Sequence, residues 1–358
     1  MWIDFRPLIR NRDFRYLYFG QFVSLIGTML TMVALPFQVY QLSHSTFAVG
    51  MMGIVELVPL LFTAFIGGAL ADTMDRRKLL IWAELGMGIG CLALVTNALL
   101  PEPKLWVLYC MAGFLSALTG LHRPSLDAMK PRLVQHHEIQ AVSALSALMS
   151  GTAMVGGPAI AGICISSLGI AWTFGIDFLT FIISLFAISK IRSIKVLEKQ
   201  DPPSLKSIKE ALHYAVKRQE LLGTYIVDIV AMVFGMPNAL FPAVSQAYGG
   251  AKVVGWLYSM PAVGVLVVSL LSGWTKYVKR QGMAVAFAAT AWGLAITGFG
   301  LVENWFAALF FLALAGAADG VSGIFRSTIW NETIPDKIRG RMAGLEMLGY
   351  MKGFFDAF

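Results

Sequence analysis

Apolar residues in this chain come in runs of about 20, and that feature constrains the fold more than any other. At 1.5 Å of rise per residue, such a run crosses a hydrocarbon core of about 30 Å. Inside that core each backbone polar group must find an internal partner, and a helix supplies one for every residue. The runs predict helices near 16–41, 46–71, 78–99, 105–129, 139–166 and 169–190, then 221–246, 253–275, 282–302, 305–329 and 341–358. That is ten full spans and the beginning of an eleventh. With 57% hydrophobic and 14% charged residues and a mean hydropathy of +0.69, the chain departs from water-soluble domains, which carry about 25% charged residues. The expected class is an all-α membrane protein, its 35 glycines suited to close helix packing in lipid.

Basic residues set the expected topology. With the N-terminus on the cytoplasmic side, 23 of the 28 lysines and arginines fall in cytoplasmic segments, and two, Lys104 and Lys252, fall in outer loops. So lopsided a distribution follows the positive-inside rule. It accounts for the net charge of +7 and leaves nucleic acid with no claim as a partner. Arg6, Arg10, Arg12 and Arg15 precede a first run that lacks an A-x-A-like cleavage site and is too long for a signal peptide, so a retained first span is expected. Cys91, Cys110 and Cys164 all lie within apolar runs, with no spacing that suggests a metal site or disulfide.

The sequence predicts three segments: an N-terminal bundle over 1–190, a linker over 191–220 and a second bundle over 221–358. The linker holds Pro202-Pro203, after which Ser204 could cap an amphipathic helix through Leu205, Ile208, Leu212 and Val216 on an anionic leaflet. The bundles repeat. Gly120-Leu121-His122-Arg123-Pro124-Ser125 and Gly323-Ile324-Phe325-Arg326-Ser327-Thr328 each end a fourth span, about 204 residues apart, as in transporters built from parallel repeats. By that offset a second set of six spans would run to about residue 395, so most of span eleven and all of span twelve would lie past residue 358. On this count the second repeat is incomplete, with about 10–11 spans present, and a transport-inactive remnant is the alternative to a working transporter.

Between spans two and three stands Gly68-Ala69-Leu70-Ala71-Asp72-Thr73-Met74-Asp75-Arg76-Arg77-Lys78. It resembles the G-x-L-a-D-r-x-G-R-R/K signature of the major facilitator superfamily, departing from it at Thr73 and Asp75. Gly157-Pro158 and Gly162 look like the core of the G-P-x-x-G-G motif of exporters in that superfamily, with Ala153 and Ala161 in place of two glycines. Val55-Glu56-Leu57-Val58-Pro59, Asn97-Ala98-Leu99-Leu100-Pro101 and Arg339-Gly340-Arg341 are similar to its subgroup of siderophore (enterobactin) and drug exporters. The resemblance implies a major facilitator fold of two six-helix repeats. It also implies efflux of a small amphipathic or anionic compound by proton antiport, and a monomer in the inner membrane. Asp72, Arg76 and Arg77 would form a conformational latch with the start of span eleven near Arg339. Spans one, four, seven and ten would face the cavity.

An ionisable group at membrane depth costs several kcal/mol unless paired or hydrated, so each is a candidate by default. Arg123, Asp228, Asp319 and Arg326 lie on cavity-facing spans by the resemblance. Asp319 and Arg326, seven apart, share a face, as do Arg123 and Asp127, four apart. The expected roles are proton coupling for Asp228 and Asp319, and attraction of anionic substrate for Arg123 and Arg326. A plain ion pair is the alternative for Arg123–Asp127, and a water-bridged structural pair for Asp319–Arg326. Glu56, one turn before Pro59, could reach a gap in the backbone ladder and is a further proton candidate. Glu84 is expected to pair with Arg76 or Arg77, and His122 to be solvated at its helix end. Gly156 and Gly157 are expected to need a covering partner from span eleven. No phosphate loop, H-E-x-x-H pattern or nucleophile elbow occurs, so neither an enzyme nor a cofactor is expected, and an ion gradient would have to power transport.

Overall fold

The computed structural model describes residues 4–192 and 218–333. A short α1 (Arg6–Arg10) precedes the long helices α2 (Arg12–Ser43), α3 (Thr46–Thr73), α4 (Arg76–Ala98), α5 (Leu105–Met129), α6 (Ile139–Ser167) and α7 (Ile170–Ser189). After the gap come α8 (Gln219–Gly235), α9 (Phe241–Ala247), α10 (Ala251–Leu270), α11 (Gln281–Leu301) and α12 (Trp305–Thr333). Among the described residues, nine helices are long and apolar enough to cross a membrane. The expected linker helix and eleventh span lie outside the described residues.

The seventh apolar run, expected as one helix over 221–246, is broken. α8 stops at Gly235, a 3-10 turn covers Asn238–Leu240, and α9 follows. Pro237 is the cause: it lacks an N–H and drives the residue before it out of the helical region, and Met236 is extended at ψ 119°. Tyr258 on α10 stabilises the break by donating its hydroxyl to the Asn238 carbonyl (3.1 Å) and setting its ring edge-on to Phe241. The eighth run also ends early, with α10 giving way after Leu270 to a 3-10 turn over Ser272–Tyr277.

Two compact units form. One holds residues 4–192 with 242–255, and the other 218–241 with 256–333. In the first, α2 packs on α6 and α7, α3 on α5, and α4 on α5 and α7. In the second, α11 packs along α12, with α8 beside them. Helix ends in the first unit are tied at one face, which carries the basic residues. Arg76 donates to the Ala128 carbonyl (3.0 Å), and Arg77 to those of Ile188 (3.2 Å) and Ser189 (2.6 Å), so two arginines satisfy the orphan carbonyls at the ends of α5 and α7. Asp75 caps α4 by accepting from the Arg77 amide, which gives the aspartate at the motif's usual glycine position a plain structural use.

The polarity of the exterior is inverted relative to a soluble protein. Phe62, Trp82 and Phe186 are more than 60% exposed, while Gln21, Glu84, Asp177 and Ser184 are buried. Lipid solvates the first group and helix–helix hydrogen bonds satisfy the second. Backbones approach closely at chosen glycines. A Cβ at Gly27 of α2 would strike Asp177 and Thr180 of α7, and one at Gly316 of α12 would strike the Pro261 backbone of α10. Gly157, expected to need cover from span eleven, is buried against Met29 of α2, so the first span already supplies it. Gly162 meets Gly255 backbone to backbone.

Candidate functional site

The first unit has two buried polar layers where α2, α4 and α7 meet. α7 carries Thr173, Asp177, Thr180 and Ser184 at helical spacing, all buried, so one stripe of this helix is polar through its length. In one layer Asp177 accepts hydrogen bonds from Thr31 of α2 (2.5 Å) and Cys91 of α4 (3.2 Å), and Thr180 lies 3.2 Å from its other oxygen. In the layer nearer the basic face, Gln21 of α2 donates to Glu84 of α4 (2.5 Å) and to Ser184 Oγ (3.2 Å), and His122 Nε2 of α5 stands 3.2 Å from Glu84 Oε1. Two expectations fail here. Glu84 pairs with neither Arg76 nor Arg77, because both arginines are drawn to helix-end carbonyls. His122 is not solvated: its side chain is 13% exposed and faces Glu84.

Arg123, one residue on, is exposed, and its guanidinium makes no ion pair with Asp127. Asp127 takes Lys130 instead, at 2.9 Å, a partner three residues away at the helix end where a lysine reaches easily. The simple ion pair of Arg123 with Asp127 is therefore absent among the described residues. Glu56 of α3 is buried, and its carboxyl forms no hydrogen bond or ion pair with a described residue. What reaches into the ladder near Pro59 is Ser116 of α5, whose hydroxyl donates to the Glu56 carbonyl (2.6 Å). The Asp72 side chain lies outside the described residues.

In the second unit Arg326 Nη2 stands 3.5 Å from Asp319 Oδ1, a direct pair rather than a water-bridged one. Asp319 is the more exposed partner, at 29% against 10%. Gly316 and Gly320 on the same helix admit Pro261 and Val265 of α10, while a Cβ at Gly323 would meet nothing within 4 Å, which leaves open space a turn from each charge. The Asp228 side chain lies outside the described residues. A separate cleft of about 490 Å³ opens where α8, α11 and α12 end, lined by Gln219, Thr224, Lys279, Gln281, Val285 and Glu332. It contains neither Asp319 nor Arg326. Trp330 and Glu332 hold its walls, through Trp330 Nε1 on Thr224 (3.0 Å) and Gln281 on the Glu332 carboxylate (3.2 Å). Among the described residues no cluster of histidine, cysteine or acidic side chains could hold a metal ion.

Charges held singly or in pairs inside apolar helical units, with open space beside Gly323, are compatible with a membrane transporter. The chain belongs to the transmembrane secretion effector family, whose model matches residues 4–350, and its fold is the major facilitator fold. It is 27% identical over 333 residues to the enterobactin exporter EntS of Citrobacter koseri (strain ATCC BAA-895 / CDC 4225-83 / SGSC4696), covering 93% of this chain and 80% of that one. It is 26% identical, over the same shares, to EntS of Salmonella typhi. Among solved structures it is similar to a mutant form of the nucleoside transporter NupG, with a TM-score of 0.75, 11% identity and coverage of 96% and 89%. A bacterial homologue of the iron transporter ferroportin in its inward-facing state gives 0.65 and 14%, with coverage of 97% and 88%. The expected family, fold and multi-pass membrane placement therefore hold, and small-molecule transport is the activity class.

Proposed function

We propose that this chain is a secondary-active exporter of a small amphipathic or anionic compound, siderophore or drug-like, driven by proton antiport. It would work as a monomer in the inner membrane with its N-terminus in the cytoplasm. The observation that carries the proposal is Arg123, an exposed residue on the fourth span with no ion pair among the described residues, which has a counterpart in Arg326 at the equivalent place of the second repeat. A planar fork of N–H donors suits carboxylate or catecholate oxygens. The enterobactin exporters to which the chain is similar make that compound the first probe.

In this reading the bundles expected over 1–190 and 221–358 move in turn to admit and release the compound. Arg123 and Arg326 draw the anion in. When it leaves, Arg326 returns fully to Asp319, and the change in that acid's partner ties occupancy to protonation, with Asp228 of the seventh span and Glu56 as further acids. Asp72 is the latch acid at the cytoplasmic face, while Arg76 and Arg77, expected to share that role, instead hold the ends of α5 and α7 within the first unit. A strain deleted for the gene and starved of iron tests the proposal. Enterobactin should accumulate in its cytosol and be cleared when the chain is restored, and unchanged secretion would overturn it.

A further inference from the structure

The surroundings of Glu84 do not balance its charge. The side chain is fully buried, Oε1 is shared between Gln21 and His122, and Oε2 has no hydrogen-bond partner. Two neighbouring helices present groups to this carboxyl, α2 through Gln21 and α5 through His122, and Ser184 of α7 accepts from Gln21 in turn. The next titratable group is Asp177 on α7, an acid whose charge acts on the same site from the adjoining layer. Of all these only His122 can become a cation. With a neutral imidazole the layer is a buried anion with an orphan oxygen, a costly state away from water. One added proton removes that state, either as a carboxyl O–H on Oε2 or as an imidazolium facing Oε1.

We propose that Glu84 and His122 form a proton-binding site inside the N-terminal unit, separate from the Asp319–Arg326 pair. It takes one proton from water at the basic face through His122, the most exposed member of the layer, and returns that proton to water. Nothing is oxidised or reduced. The coupling half of the proposal rests on the export reading above, because Arg123 follows His122 directly on α5. An anion engaging Arg123 pulls on the same helical turn that holds the imidazole against Glu84, so substrate and proton compete for the position of α5.

The test uses the full chain in lipid nanodiscs with ¹⁵N-labelled histidine. The chain has five histidines, and a His122→Gln variant assigns the one that matters. Scanned from about pH 5 to about pH 9, the His122 ring and a glutamate carboxyl should respond together to one added proton, and the His122 response should change in Glu84→Gln. No response from either group, or a His122 response that is the same in Glu84→Gln, would overturn the site. Should the variant not fold, wild-type chain with ¹³C-labelled glutamate decides alone. A carboxyl infrared band must change with the same midpoint as the His122 resonance, and separate midpoints count against a shared proton. In proteoliposomes, acceleration of enterobactin efflux by a pH gradient should fall from about tenfold in wild type to none in Glu84→Gln, and retained acceleration would sink the coupling role. If wild type moves no enterobactin, the export reading fails, while the histidine titration still decides the proton site.

Discussion

Arg326 Nη2 lies 3.5 Å from Asp319 Oδ1 across two turns of α12, with the aspartate the more exposed of the two. A guanidinium already resting on an acid must release part of that contact to hold a substrate anion. Arg326→Gln should therefore weaken substrate binding by about tenfold or more, the loss of a charge-assisted contact of about 1.5–3 kcal/mol. Asp319→Asn should instead flatten the pH dependence of efflux. Efflux measured in everted vesicles at several pH values separates the two, and wild-type pH dependence in both variants would move the site elsewhere, to Glu56 first.

Arg123→Gln should raise the KM for efflux with little change in thermal stability. The side chain is exposed and joined to no acid, so its removal strands no buried partner. Thermal midpoints in detergent, read beside efflux kinetics, check both halves. A large loss of stability would show that the guanidinium holds the fold.

Gly27→Val should cost about 1–3 kcal/mol, because the added carbons would strike Asp177 and Thr180 at a tight crossing of α2 and α7. Gly50→Ala, where a Cβ would meet nothing within 4 Å, is the control and should change the midpoint little. Equal midpoints for the two variants would contradict the packing described.

Asp72→Asn should slow transport while leaving membrane insertion intact, if this acid latches the bundles as the superfamily motif implies. Efflux at matched expression is the measurement, and a wild-type rate in the asparagine variant would remove the latch.

The fold class and nine of the ten full spans were legible because lipid enforces them. An apolar run of span length has one stable form, and tightly spaced basic residues mark loops. The break at Pro237 had a signal in the Met236-Pro237 pair, but the predominantly apolar composition over 221–246 outweighed it in the reading. Pairings were read less well. Sequence distance suggested Glu84 with Arg76 or Arg77, and Arg123 with Asp127. Helix ends offer carbonyls that satisfy arginines without charge, and Lys130 reaches Asp127 first. The polar layers were missed because they join four helices, although Thr173, Asp177, Thr180 and Ser184 stand at helical spacing in an otherwise apolar run. That stripe was the available signal.

Export driven by a proton gradient is the proposed activity of this chain. Purified chain in proteoliposomes loaded with enterobactin, held at equal pH or acidified outside, tests it most directly. The account predicts efflux about tenfold faster into the acidic medium, acidification of the lumen as the compound leaves, and loss of both when a protonophore is added. Enterobactin efflux at one rate with and without the gradient, and with no proton entering, would contradict it.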